Sequence, residues 1–351
     1  MRALSIQKLL SYGIVILIFL FVYFLTNDIL SKKNNDNETK SKSIKISEMS
    51  EFSKKIKTSS IIEMPAISNI NESYGLRIFN EKGEFIDTKT IQLDDPKELQ
   101  LYVSTINATS KNDSIGILVS LDGVFQQFLV DEDEVNKFYI YNTELPTMSS
   151  KNIPITIKNE DLVKQHRLDI IMLYYFDKLP NGAMKYIDFY VNSISFYINS
   201  SLDNINKKFS SDTTSLTKIP ERFVGKVRDK GIRNVIDTLD LDKTNLSQPN
   251  AINAIPGEAK KLNIFGFGGK GKYATTIFLN NHPISFANSE KTLIYELDGS
   301  NIYNKNFEVN VPNENGKYPF YSITIPLDNS PFVFASQKFA LEVQNPKSNT
   351  N

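Results

Sequence analysis

From Tyr74 onward the chain is written in short apolar runs cut by turn residues, and that texture leaves few folds open. The runs include YGLRIF, ELQLYVSTI, IGILVSL, VFQQFLV, KFYIY, IPITIK, RLDIIMLYYF and YIDFYVNSISFYI, with EKG, LDG and PNG as breaks. Short runs of alternating apolar residues read as half-buried strands, and breaks carrying Gly, Asn or Asp read as reversals. The expected fold class is all-β, beginning with an antiparallel, Ig-like β-sandwich over residues 72–200. Strands return as LNIFGF, YATTIFL, PISFA, TLIYEL, NFEVNV, YSITIP and FALEV, which gives a second sandwich over 259–346 and a tail at 347–351.

The two β regions resemble each other. GILVSLDGVFQQF (116–128) aligns with TTIFLNNHPISF (275–286), so that Leu121 meets Leu279 and Phe128 meets Phe286. The pair Asp122-Gly123 falls on Asn280-Asn281, and both pairs suit a hairpin turn that needs positive φ. FYIY (138–141) is set against LIYE (293–296), and IPITIKNED (153–161) against FEVNVPNEN (307–315). The offset shrinks from 158 to 154 along the way, as small loop deletions require. Two tandem copies of one module fit this pattern, against the rival that alternation makes unrelated strands look alike. Between the copies lies a polar connector, 201–258. Within it IPERFVGKVRDKGIRNVIDTLDL has an amphipathic helix as one reading, with Phe223, Val227 and Ile236 apolar and Gly225 and Gly231 against it.

Ahead of the β region, MRALSIQKLLSYGIVILIFLFVYFLTNDIL carries no charge from Leu9 to Leu25. As a helix this stretch spans roughly 25 Å, enough to cross a hydrocarbon core with help from its flanks. The expected layout is a cytoplasmic head (1–8), a transmembrane signal-anchor helix crossing the lipid bilayer (9–26) and a polar stalk (27–71). A cleaved signal peptide is the rival, but the run is long and TNDILSKK offers no A-x-A-like site. Lys32, Lys33, Lys40, Lys42 and Lys45 pull the orientation the other way, yet long domains translocate largely regardless of charge. The expected location is thus the cell membrane, single-pass, with extracytoplasmic C-terminal domains.

Chemistry is sparse. The chain has no cysteine, which removes thiolate nucleophiles, disulfides and cysteine-ligated zinc. His166 and His282 are the only histidines and carry no catalytic neighbourhood, so both read as surface residues. Lys+Arg and Asp+Glu both total 40, which argues against a nucleic-acid binder.

GFGGKGKY (266–273) matches all but the last place of the phosphate-binding loop G-x-x-x-x-G-K-[ST]. Tyr273 stands where Mg²⁺ needs a hydroxyl from Ser or Thr, and a β-branched run follows in place of a helix. It reads as a hairpin tip, with no nucleotide bound. VDEDEVN (130–136) lacks the spaced ligands of a calcium loop, and DTLDLDK (237–243) reads as polar connector. Phe265, Phe267, Tyr273, Tyr318, Phe320 and Tyr321 suggest a sugar-stacking surface but read better as core.

No catalytic, cofactor-binding or metal-ligating residue is assigned, and no cofactor. The expected function is non-enzymatic binding or scaffolding in a bacterial cell-envelope assembly, with an envelope protein or cell-wall glycan as partner. The alternatives are an envelope glycan-binding module or a carboxylate-dependent hydrolase.

Overall fold

The structure, a computed structural model, describes residues 61–63, 73–91, 93, 97–130, 135–164, 166–180, 190–199, 211–225, 231–249, 251–286, 290–328 and 332–345. Residues 56–351 form one compact unit. Apart from two short 3₁₀ turns, the regular elements among the described residues are all strands.

The first half opens with β1 (Ile61–Glu63), β2 (Ser73–Asn80), β3 (Thr90–Ile91), β4 (Glu98–Ala108), β5 (Asp113–Leu121) and β6 (Val124–Phe125). It continues with β7 (Phe128–Val130), β8 (Lys137–Phe138), β9 (Tyr141–Leu145), β10 (Ser149–Lys158), β11 (His166–Tyr174) and β12 (Tyr190–Ile198). The second half opens with β13 (Leu216–Lys218), β14 (Ile232–Asp237), β15 (Ala251–Ala254), β16 (Ala259–Gly268), β17 (Gly271–Leu279) and β18 (His282–Pro283). It closes with β19 (Leu293–Leu297), β20 (Asn301–Asn310), β21 (Gly316–Pro326), β22 (Phe334–Ala335) and β23 (Phe339–Val343).

Four sheets result. Sheet I runs β2-β4-β10-β7-β8 with β1 on β10, and sheet II runs β3-β12-β11-β5-β6 with β9 on β5. Sheet III runs β13-β20-β16-β14. Sheet IV runs β15-β23-β21-β17-β18, with β19 on β17 and β22 on β21. Sheets I and II enclose one core around Ile78, Val103, Ile117, Ile155, Ile170 and Phe196. Sheets III and IV enclose another around Ile236, Ile264, Ile277, Tyr295, Phe320 and Phe339.

A third core joins the sandwiches. Leu118, Ile171 and Leu173 of sheet II pack with Phe278, Tyr321, Ile323 and Ile325 of sheet IV. The layers therefore stack I–II–IV–III, with sheets II and IV covered on both faces. That is why every residue of β5 and β11 is buried. Strands covered on both faces need near-continuous apolar runs, and IIMLYYF (170–176) is one, although the longer RLDIIMLYYF reads at first as alternation.

The two sandwiches share a central strand order, although among the described residues β7 and β8 have no counterpart in sheet III and β22 none in sheet II. In the first, Ile78 pairs with Val103, Val103 with Ile153, Leu121 with Leu168 and Leu168 with Phe196. In the second, Ile236 pairs with Ile264, Ile264 with Lys305, Leu279 with Phe320 and Phe320 with Phe339. Even the parallel edge pair recurs: Thr90 with Tyr197 and Ala251 with Ala340. The strand order, with one edge strand crossing to pair in parallel in the facing sheet, loosely resembles Ig-like sandwiches. Asp122 and Gly123 have φ of 54° and 80°, and Asn280 and Asn281 have 50° and 64°, so both hairpins use the positive-φ turn. Phe128 and Phe286 are both buried.

Several expectations are corrected. The bilayer-spanning helix at 9–26 lies outside the described residues, and among the described residues no helix is long and apolar enough to cross a membrane. The single-pass membrane topology, the lipid-bilayer partner and the membrane location all rest on that helix and find no support among the described residues. The stalk's 61–63 forms β1 on β10 rather than polar linker.

Among the described residues of the connector no α-helix forms, and Val227 lies outside them. Residues 221–223 make a 3₁₀ turn, and Ile232, Asn234 and Ile236 alternate inward on β14, so period two wins over period 3.6. Counted from the matched turns at Asp122-Gly123 and Asn280-Asn281, strand pairing sets Tyr141 against Leu293, three residues from the sequence alignment.

Candidate functional site

Buried charge joins the two sandwiches. Arg167, on β11, is 2% exposed and its Nη2 lies 2.9 Å from Oδ1 of the fully buried Asp169. Ser195 Oγ donates to the same carboxylate oxygen at 2.6 Å and Ser120 Oγ to the other at 3.2 Å. The second arm of the guanidinium crosses to the other sandwich, where Nη1 donates to the carbonyl of Asp328 at 2.8 Å and to that of Pro326.

Lys338, fully buried, does the reverse: its Nζ donates to the carbonyls of Tyr175 and Phe176, each at 3.0 Å. Burial brings the Lys338 ammonium down to about 8, with Lys178 assisting and Asp177 and Asp113 opposing. By the shared register Tyr174 corresponds to Pro326, so each sandwich grips the same strand end of the other.

His166 is not a surface residue. It is buried, its Nδ1 lies 2.8 Å from Asp122 Oδ2, and Arg167 N–H donates to Asp122 Oδ1 at 2.8 Å. This holds the positive-φ turn at Asp122. His282 is exposed on β18, directly after the matching turn.

Asp212 serves a similar structural end. Burial pushes its carboxyl up, but donors from Thr214, Lys305 and Ser215 outweigh this and hold it well below the usual carboxylate range. In DTLDLDK, Asp237 accepts from Leu239 N–H and Thr244 Oγ1 at 3.1 and 2.8 Å, which closes a loop. Among the described residues no group of three or more His, Asp or Glu side chains could hold a metal ion. Residues 131–134 of VDEDEVN lie outside the described residues.

GGKGK turns the chain, but not as a hairpin. β16 and β17 lie in different sheets, so Gly268–Gly271 crosses between layers. Gly268 has φ 138°, and a Cβ there would stand 2.0 Å from the Gly231 carbonyl oxygen, which only glycine avoids. Phe265, Phe267, Tyr273, Phe320 and Tyr321 are buried, so they form no exposed stacking row.

One opening lies at the edge of sheet III. A groove of about 480 Å³ is bounded by β14, the Leu246–Gln248 loop and the stretch from β22 to Gln337. Its floor mixes Ile232, Phe267 and Phe334 with Asn234, Gln248 and Gln337. Asn234 points its side chain inward: Nδ2 donates to Thr324 Oγ1, and Oδ1 accepts from Tyr295 O–H at 3.0 Å.

The backbone of β14 alternates the other way. Gly231 C=O turns toward β16, accepting from Gly269 N–H at 3.2 Å. Ile236 turns outward, its N–H donating to Gln248 Oε1 at 3.3 Å and its C=O accepting from Gln248 Nε2 at 3.1 Å. By the same alternation Ile232 and Asn234 turn their N–H and C=O outward, where no backbone group among the described residues pairs with them. Reading 201–258 as linker hid this site. IRNVID, with an isoleucine at each inward end, was the signal for a strand.

No family model matches the chain. No curated protein matches it either. Solved structures with partial likeness include the CARDB domain of a Pyrococcus furiosus protein in complex with di-metal ions, 12% identical, with TM-score 0.23 over 33% of this chain and 94% of that one. A chaperone–tip adhesin complex of CFA/I fimbriae biogenesis is 11% identical, with TM-score 0.22 over 75% and 98%. Red sea bream transglutaminase is 7% identical, with TM-score 0.21 over 79% and 32%. Likeness this distant carries no functional argument.

Proposed function

We propose that the chain is a non-enzymatic recognition scaffold whose binding site is the groove beside β14. The observation that carries this is the groove itself, a concave mixed surface of about 480 Å³ next to a strand edge. Pockets of that size suit a ligand of a few residues or rings. The side chains with chemical versatility are occupied elsewhere: Arg167, Asp169 and Lys338 bond structural partners. Two sandwiches locked by a shared core and two cationic clamps give the groove a rigid frame, which lowers the ordering cost of binding.

The test is selection on the full chain from a linear peptide library and, separately, from a glycan array. Ser247→Trp serves as counter-selection, because Ser247 is exposed and lines the groove. Ligands retained by the wild type and weakened at least tenfold by Ser247→Trp support the reading. Ligands indifferent to that change, an empty selection, or turnover of a selected ligand overturn it.

A further inference from the structure

We infer that the groove takes an extended segment of a partner polypeptide, added as a strand antiparallel to β14. This rests on the recognition-scaffold reading and specifies its ligand.

In the first sandwich β2 holds the edge of sheet I beside β4, as β14 holds the edge of sheet III beside β16, and Ile78 pairs there with Val103 as Ile236 pairs with Ile264. There the chain covers its own edge. Ile86 N–H donates to Ile78 C=O at 3.0 Å, and Phe79 and Phe85 form an antiparallel bridge. In the second sandwich no backbone among the described residues does this. The amide of Gln248 stands in for a peptide group, giving Ile236 one donor and one acceptor. The edge thus takes peptide-like groups at its C-terminal end and continues, with the same outward geometry, through Asn234 to Ile232.

The groove is the room that such a strand needs. At about 3.3 Å per residue, a partner strand facing Ile232 to Ile236 occupies roughly 17 Å. Backbone pairing supplies affinity, and alternate side chains choose the sequence. The residues bounding the groove are apolar or neutral polar apart from Arg233, which favours a mixed, non-cationic segment. Side chains on its inward face would meet Ile232 and Phe334, and the opposite face would meet Phe267, which pairs with Arg233 on the outer face of sheet III. Gln248 is a competitor for the last pairing position, half-buried and attached only through Ile236 among its described contacts.

The experiment uses the full chain and the peptides that survive the Ser247→Trp counter-selection. Each peptide is remade with single N-methyl groups along its backbone. Loss of affinity by tenfold or more at alternate positions, with little change between them, is expected of a strand whose every second N–H faces β14. Amide exchange at Ile232 and Asn234 should slow at least tenfold in the complex. Gln248→Ala should leave the fold intact and tighten peptide binding several-fold by releasing Ile236.

Peptides indifferent to N-methylation, or a site filled only by glycans, would overturn strand addition while leaving the recognition scaffold standing. An empty selection would overturn both. Protection of the Asn234 amide without peptide would also overturn the inference. If it depended on protein concentration it would assign the edge to a second copy, and otherwise to another part of this chain.

Discussion

Lys338 offers the sharpest physical test of how the sandwiches are joined. Its ammonium is fully buried, and burial lowers it from 10.5 to about 8. The folded state therefore binds fewer protons than the unfolded state between those values, so stability must rise with pH across that window. Below 8 the folded state bears the full cost of a buried charge, and by 10.5 the cost is gone.

Integrating one site with these two values gives a gain of about 2 kcal/mol between pH 7.5 and 9.5. Lys338→Met keeps the length and removes the charge, so it should erase this gain. Urea unfolding of both proteins at several pH values isolates the effect, because every other titrating group cancels in the difference. The tyrosines whose hydroxyls burial pushes up, Tyr295 and Tyr321 among them, lose stability only as pH climbs past 10. They lie outside the window. A wild-type minus variant difference that stays flat from 7.5 to 9.5 would refute a buried, depressed ammonium at this junction.

Other outcomes follow from the same geometry. Arg167→Leu leaves Asp169 buried without its cation and should cost about 3–5 kcal/mol by chemical denaturation, the range for breaking a buried pair. Phe278→Ala removes a ring that meets Phe125 edge-on at 5.2 Å and Tyr321 stacked at 5.3 Å. It should cost about 3–5 kcal/mol and lower a single calorimetric transition shared by both sandwiches, whereas two separate transitions would contradict the common core. Gly268→Ala forces a methyl onto the Gly231 carbonyl and should destabilise by more than about 1 kcal/mol, while leaving any nucleotide response unchanged at zero. A thermal shift with ATP and Mg²⁺ would instead reopen the phosphate-loop reading.

How far the sequence reached can be judged residue by residue. Strands, the positive-φ turns at Asp122-Gly123 and Asn280-Asn281, and the inward Phe128 and Phe286 were legible because each rests on local chemistry: alternation, turn type and side-chain size. The junction was not. Leu118, Ile171 and Ile323 look like any strand residue, and only the apolar run at 170–174 within β11 hints at a second buried face. His166 was misread because its partner Asp122 is distant in sequence and meets it only through the β5–β11 pairing. Arg167 and Lys338 form their cross-sandwich bonds over separations of about 160 residues, which no spacing rule anticipates. The groove was lost with the connector: Gly225 and Gly231 argued against a helix, but β14 shows its role only beside β16.

The doubly covered sheets also set a constraint on how the molecule is made. Residues 73–199 leave the ribosome before their counterpart exists, and domains generally fold in order of synthesis. Until β17 and β21 emerge, the outer face of sheet II presents Leu118, Phe125, Ile171 and Leu173 to solvent. A nascent chain paused after residue 199 is thus a sandwich with a bare apolar wall, prone to capture by chaperones or by neighbouring chains. The second sandwich, once formed, acts on the first as an intramolecular chaperone that never dissociates.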